Sequence, residues 1–118
     1  MPEHAAQALL LDEPTIAENE DAVIASANAI KARGLTGKTV VFGIGINPTV
    51  AHLLLAGDGT VWETTGQDAA SWANEVVKVA KALRSGAGTG QFEHFTPGPV
   101  YSSEDPEAVR RYLSAAAR

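Results

Sequence analysis

Lys38-Thr39-Val40-Val41-Phe42-Gly43-Ile44-Gly45-Ile46-Asn47-Pro48 decides the fold of this chain. Val40, Val41 and Phe42 form a β-branched and aromatic run with no polar residue to mark a solvated face. A strand that is apolar on both faces belongs inside a sheet covered by helices, as in parallel α/β folds. Two glycines end the run, and Asn47-Pro48 reads as an N-cap followed by the first residue of a helix. In open α/β sheets, ligands bind outside the carboxyl ends of strands at such turns. The turn from Gly43 to Asn47 is therefore the first candidate site.

The residues on either side extend the pattern. Upstream, Thr15-Ile16-Ala17 reads as a short strand, and Asn19 as a cap with Glu20 and Asp21 in the first turn, where the helix dipole favours acids. That helix runs to about Arg33, with Val23, Ala27 and Ile30 on one stripe, Ile24 beside it, and Gly34 as its stop. Residues 3 to 11 have helical composition, ended by Asp12-Glu13-Pro14. Downstream, Pro48 to Ala56 is a short helix with Val50, Leu53 and Leu54 inward, and Thr60 to Thr65 is a strand placed beside the central one. Trp72, Val76, Val79, Ala80 and Leu83 recur at helical spacing and predict a long amphipathic helix with Trp72 in the core.

Ser85 to Gly90 is a glycine-rich linker. Gln91 to Tyr101 contains Pro97-Gly98-Pro99, so it is extended and unfit for a central strand. Asp105-Pro106 opens a last helix with Val109, Tyr112, Leu113 and Ala116 on one stripe. Helices alternating with strands across short turns predict an α/β domain with a mostly parallel sheet and helices on both faces. The chain is expected to be a single domain, 1–118, in which 91–118 is an extended tail plus the C-terminal helix.

Composition narrows the function. A chain of 118 residues buries about two-thirds of its unfolded surface, enough for a core. No cysteine is present, which excludes disulfides and thiolate metal sites. A net charge of −5, with no run of Lys or Arg, argues against nucleic acid. No apolar run approaches the roughly 18 residues of a membrane span, so no membrane insertion is expected. Met-Pro-Glu-His lacks the cationic region of a signal peptide, so the chain as written is expected in the cytoplasm.

Catalytic constellations are absent. Gly43-Ile44-Gly45 supplies two glycines of a dinucleotide fingerprint, but Pro48 stands at the third position and no acid follows at the required distance. His4, His52 and His94 are scattered without ligand spacing, and no Gly-x-Ser-x-Gly elbow exists. The cluster Glu18, Glu20 and Asp21 reads as a solvated helix start. The chain is thus predicted to be no enzyme and to need no cofactor or metal. Three strand ends with polar groups remain: Glu18-Asn19, Gly45 to Asn47, and Gln67-Asp68. A parallel sheet brings such ends to one edge, and Asn and Gln each offer a donor and an acceptor, which suits a polyhydroxylated ligand.

In order and spacing, four passages resemble the C-terminal lobe of the type I periplasmic sugar-binding proteins of ABC transporters, the class of the ribose and galactose binders. These are Ala17 to Ala22, Ala29 to Gly43, Ala56-Gly57-Asp58-Gly59 to Gln67-Asp68, and Thr96 to Tyr101. The resemblance implies a flavodoxin-like, three-layer lobe that binds sugar with a second lobe, in the periplasm, beside a transporter permease. It places this lobe's polar contacts on Asn19 and Gln67, to which the reading of the strand ends adds Gly45 and Asn47 as ligand contacts. Where the family usually has an aspartate that accepts sugar hydroxyls, Gly45 stands here. Weak or absent sugar binding by this chain alone is the resulting expectation. Alternatives are a free-standing flavodoxin-like module for a phosphate-bearing ligand at Asn47-Pro48, and an oligomerising structural module. A homodimer is expected, with the apolar tail or the first-strand region at its interface.

Overall fold

The computed structural model describes residues 14–118, so the helix expected at residues 3 to 11 and His4 lie outside the described residues. Its elements are β1 (Thr15–Ala17), α1 (Glu20–Ala32), β2 (Val41–Ile44), α2 (Pro48–Leu55), β3 (Val61–Thr65), α3 (Ala69–Arg84), β4 (Val100–Ser102) and α4 (Pro106–Ala116). The described chain divides into two compact units, one made of residues 14–66 and 100–118, the other of residues 67–99.

The first unit holds a four-stranded sheet in the order β1-β2-β3-β4. β2 pairs in parallel with β1 and with β3, so the apolar run is an interior strand as its composition requires. β4 joins β3 antiparallel at the edge, and Pro97 and Pro99 stay outside the ladder. The register between β2 and β3 slips after Val41, which pairs with Val61 while Phe42 pairs with Glu63. Trp62 is thereby the bulged residue.

One face of this sheet carries Ala17, Val41 and Val61 into a core shared with α1, α2 and α4. Val23, Ala27 and Ile30 enter it from α1, Val50, Ala51 and Leu54 from α2, and Val109 from α4. Most of the stripes read at helical spacing are among these residues; Leu53, Tyr112 and Leu113 are only partly buried against this core, Ala116 is exposed, and Ala51 joins it without having been read as inward. On the opposite face Ile16, Ile44 and Val100 are exposed. Gly43 sets how closely α1 approaches β2: a Cβ there would stand 2.5 Å from Val23 Cγ2 and 3.0 Å from Thr64 Oγ1.

The second unit comprises α3 and the extended segment after it. Asp68 caps α3 through Ser71 N at 3.1 Å, and Glu75 holds His94 Nδ1 at 2.9 Å, tying the segment to the helix. The expectation that the α3 stripe forms core is corrected here. No residue of α3 is buried, and Trp72 is 45% exposed. Helical spacing specifies an apolar face, but a face is buried only by what lies opposite. Within this unit that is a short proline-containing strand of tail, too narrow to cover four turns of helix.

Candidate functional site

The carboxyl ends of β1 and β2 bring Asn19, Gly45 and Asn47 to one edge of the first unit. Each asparagine closes a helix start. Asn19 Oδ1 accepts from Ala22 N at 2.9 Å, and Asn47 Oδ1 accepts from Val50 N at 2.9 Å. Both residues are in extended backbone, as N-caps are. Capping commits the amide oxygens and leaves the amide NH2 groups, with two donors each, without a partner among the described residues. Asn19 is exposed and Asn47 half-buried.

Gly45 is buried and has φ of 93°, a left-handed conformation in which a side chain is strained. Its peptide is pinned on both sides: the N–H donates to Thr65 O at 2.7 Å, and its carbonyl accepts from Thr64 Oγ1 at 2.6 Å. The space that a Cβ would need is occupied by the carboxylate of Glu20. Beside it, Tyr112 OH donates to Ile46 O at 3.1 Å, and its ring meets that of Tyr101 edge-on at 5.5 Å. Burial, the neighbouring Tyr101 and the negative charge of Glu20 all push the Tyr112 phenol above its ordinary pKa.

Gln67 is exposed and is the first residue of the second unit. Of the residues singled out by sequence, the structure thus collects Asn19, Gly45 and Asn47 on one sheet edge. Glu20, Thr64 and Tyr112 belong to the same edge and were not singled out. Glu20 reads as a solvated helix start and Tyr112 as core stripe, and Thr64 turns inward with Val61 only through the bulge at Trp62, which alternation along the sequence does not show.

A concavity of ≈ 730 Å³ lies within the other unit, lined by the apolar face of α3 together with Phe92, Phe95 and the Glu75–His94 pair. His94 Nε2 is buried there without a partner. The hydrogen bond from His94, with help from Lys78, holds the Glu75 carboxyl below its ordinary range. No group of acidic and histidine residues that could hold a metal ion occurs among the described residues, and no described helix is long and apolar enough to cross a membrane.

The structure is similar to the periplasmic binding protein component of the arabinose ABC transporter from Shewanella sp. ANA-3, solved bound to α- and β-L-arabinofuranose. The TM-score is 0.60 at 18% sequence identity, over 98% of this chain and 39% of the other. The likeness is one of fold. It makes this chain an α/β flavodoxin-like lobe, spanning well under half the length of the protein it matches. No protein-family model and no curated protein matches the sequence.

Proposed function

We propose that the chain is the sugar-facing lobe of a type I solute-binding protein, with weak monosaccharide affinity on its own. The observation that carries this reading is the edge formed by Asn19, Gly45 and Asn47, in a fold shared with an arabinose-binding protein. Two amide NH2 groups left over from capping, and a peptide turn with no side chain, fit a small ligand rich in hydroxyls. On this reading Asn19, Gly45 and Asn47 are the ligand contacts of the first unit, and Gln67 is a candidate contact of the second. The edge taken by itself is open on one side, which is the ground for expecting weak affinity from this chain alone. Within a longer protein the reading extends to a periplasmic location and delivery to an ABC-transporter permease. No catalytic role is proposed, and a homodimer is, because Phe92 and Phe95 present large apolar side chains to solvent.

Titration of the 15N-labelled chain with L-arabinose, D-ribose and D-galactose tests it. Sugar-dependent shifts at the Asn19 and Asn47 side-chain amides are expected, and Asn19→Ala and Gln67→Ala should each weaken binding. A double variant that binds as the wild type does would remove both residues from the site. Titration with inorganic phosphate separates the competing reading, in which shifts would centre on Thr49 and Val50 at the start of α2.

A further inference from the structure

Residues 88–99 lead from α3 to β4, and little in them is fastened to the helix. Phe92 and Phe95 are the large apolar side chains of this segment, and both stand in solvent, so burial of neither anchors it. Gly86, Gly88 and Gly90 all take left-handed backbone, and a Cβ at any of them would meet nothing within 4 Å. That end of the segment is free of packing, while Pro97 and Pro99 stiffen the other. Between the two lies a strap, residues 91–96.

Among the described residues, one polar contact joins the strap to α3. The Glu75 carboxylate accepts from His94 Nδ1 at 2.9 Å, whereas Thr89 and Gln91 bond only to each other. A carboxylate only accepts, so Nδ1 carries the hydrogen, and Nε2 of the neutral ring is left as an acceptor. That nitrogen is buried without a partner. All the polar fixing of the His94 ring therefore comes from Glu75. Phe92 and Phe95 line the concavity beside Trp72, Val76 and Leu83, and Val79 is half-buried one turn on from Glu75. A strap set loose would bare this face of α3.

We propose that Glu75 and His94 form an acid-released clasp, which holds residues 91–96 against α3 at neutral pH and frees them in acid. Two charged groups face the Glu75 carboxylate: His94 from the strap and Lys78 from its own helix. The bond from His94, then that from Lys78, outweighs desolvation and keeps this carboxyl below its ordinary pKa. A group depressed in this way contributes above its unfolded pKa, and the contribution is lost as pH falls through the folded value. Protonation turns a charge-assisted hydrogen bond into a neutral one about half as strong, and ends the pairing with Lys78. No other hydrogen bond or ion pair to α3 then keeps the strap in place.

The test follows backbone order by 15N relaxation in the wild type, Glu75→Ala, His94→Ala and Glu75→Gln, from neutral pH down to about pH 3, below the ordinary carboxylate range. At neutral pH, residues 93–95 of the wild type should be as ordered as α3. In Glu75→Ala and His94→Ala their order parameters should fall below about 0.6. The wild type should lose order at these residues as Glu75 takes up its proton. Glu75→Gln keeps an acceptor but cannot titrate, so that transition should be absent from it. Residues 41–65, in the other unit, should keep their folded amide shifts throughout. Undiminished order in Glu75→Ala at neutral pH would overturn the clasp. So would a wild-type transition repeated in Glu75→Gln, or a loss of order at 93–95 that comes only with unfolding of residues 41–65.

Discussion

Two residues of the first unit show how single atoms fix its geometry. Gly43 admits no Cβ without displacing Val23 or Thr64, which are both buried. Gly43→Ala should destabilise the chain by about 1–3 kcal/mol, measured by urea unfolding, because overpacking there must push α1 off the sheet. Asp58 acts through hydrogen bonds: Oδ1 accepts from Thr60 N at 2.9 Å, and Oδ2 pairs with Lys31 Nζ at 2.9 Å. Partial burial pushes its pKa up, but Lys31 and the Thr60 bonds outweigh burial and hold it below the ordinary value. A carboxyl whose folded pKa is depressed stabilises the fold above its unfolded pKa, and that contribution is lost as pH falls through the folded value. Asp58→Asn should therefore cost about 1 kcal/mol at neutral pH, where the pair is half-exposed and screened. The gap between variant and wild type should close in acid. A gap that persists undiminished at low pH would show that charge plays no part.

At the scale of elements, helical and strand periodicity in the sequence named the right faces. Val23, Ala27 and Ile30, and Val50 with Leu54, are core as their spacing requires, and β2 is interior as its apolar run requires. What periodicity leaves open is whether anything lies opposite a face. The stripe of α3 is as regular as that of α1, yet none of it is buried. A matched pair of substitutions measures the difference. Leu54→Ala, at 2% exposure, should cost about 2–5 kcal/mol. Val76→Asp, at 67% exposure, should stay within about 0.5 kcal/mol of the wild type. A large loss from Val76→Asp would mean that α3 is covered in solution. The candidate site was half legible for a related reason. Caps and glycine turns announce themselves in sequence, so Asn19, Gly45 and Asn47 could be read directly. Glu20 and Tyr112 reach the same edge only through packing that no local pattern encodes.

For the whole molecule, exposed apolar surface is the main feature the function does not use. Phe92 is 101% and Phe95 85% exposed, and surface of this kind promotes self-association. The proposed homodimer should appear as twice the monomer mass by light scattering at tens of micromolar, and Phe92→Ser with Phe95→Ser should return it to a monomer. A wild-type monomer under those conditions removes the dimer without touching the sugar site. The central claim is sugar recognition at the carboxyl edge of β1 and β2, and titration of the 15N-labelled wild type with L-arabinose tests it most directly. Shifts at Asn19, Gly45 and Asn47 that saturate only in the millimolar range are expected. No shift at those residues up to the highest soluble sugar concentration, or shifts confined to residues 72–95, would contradict it.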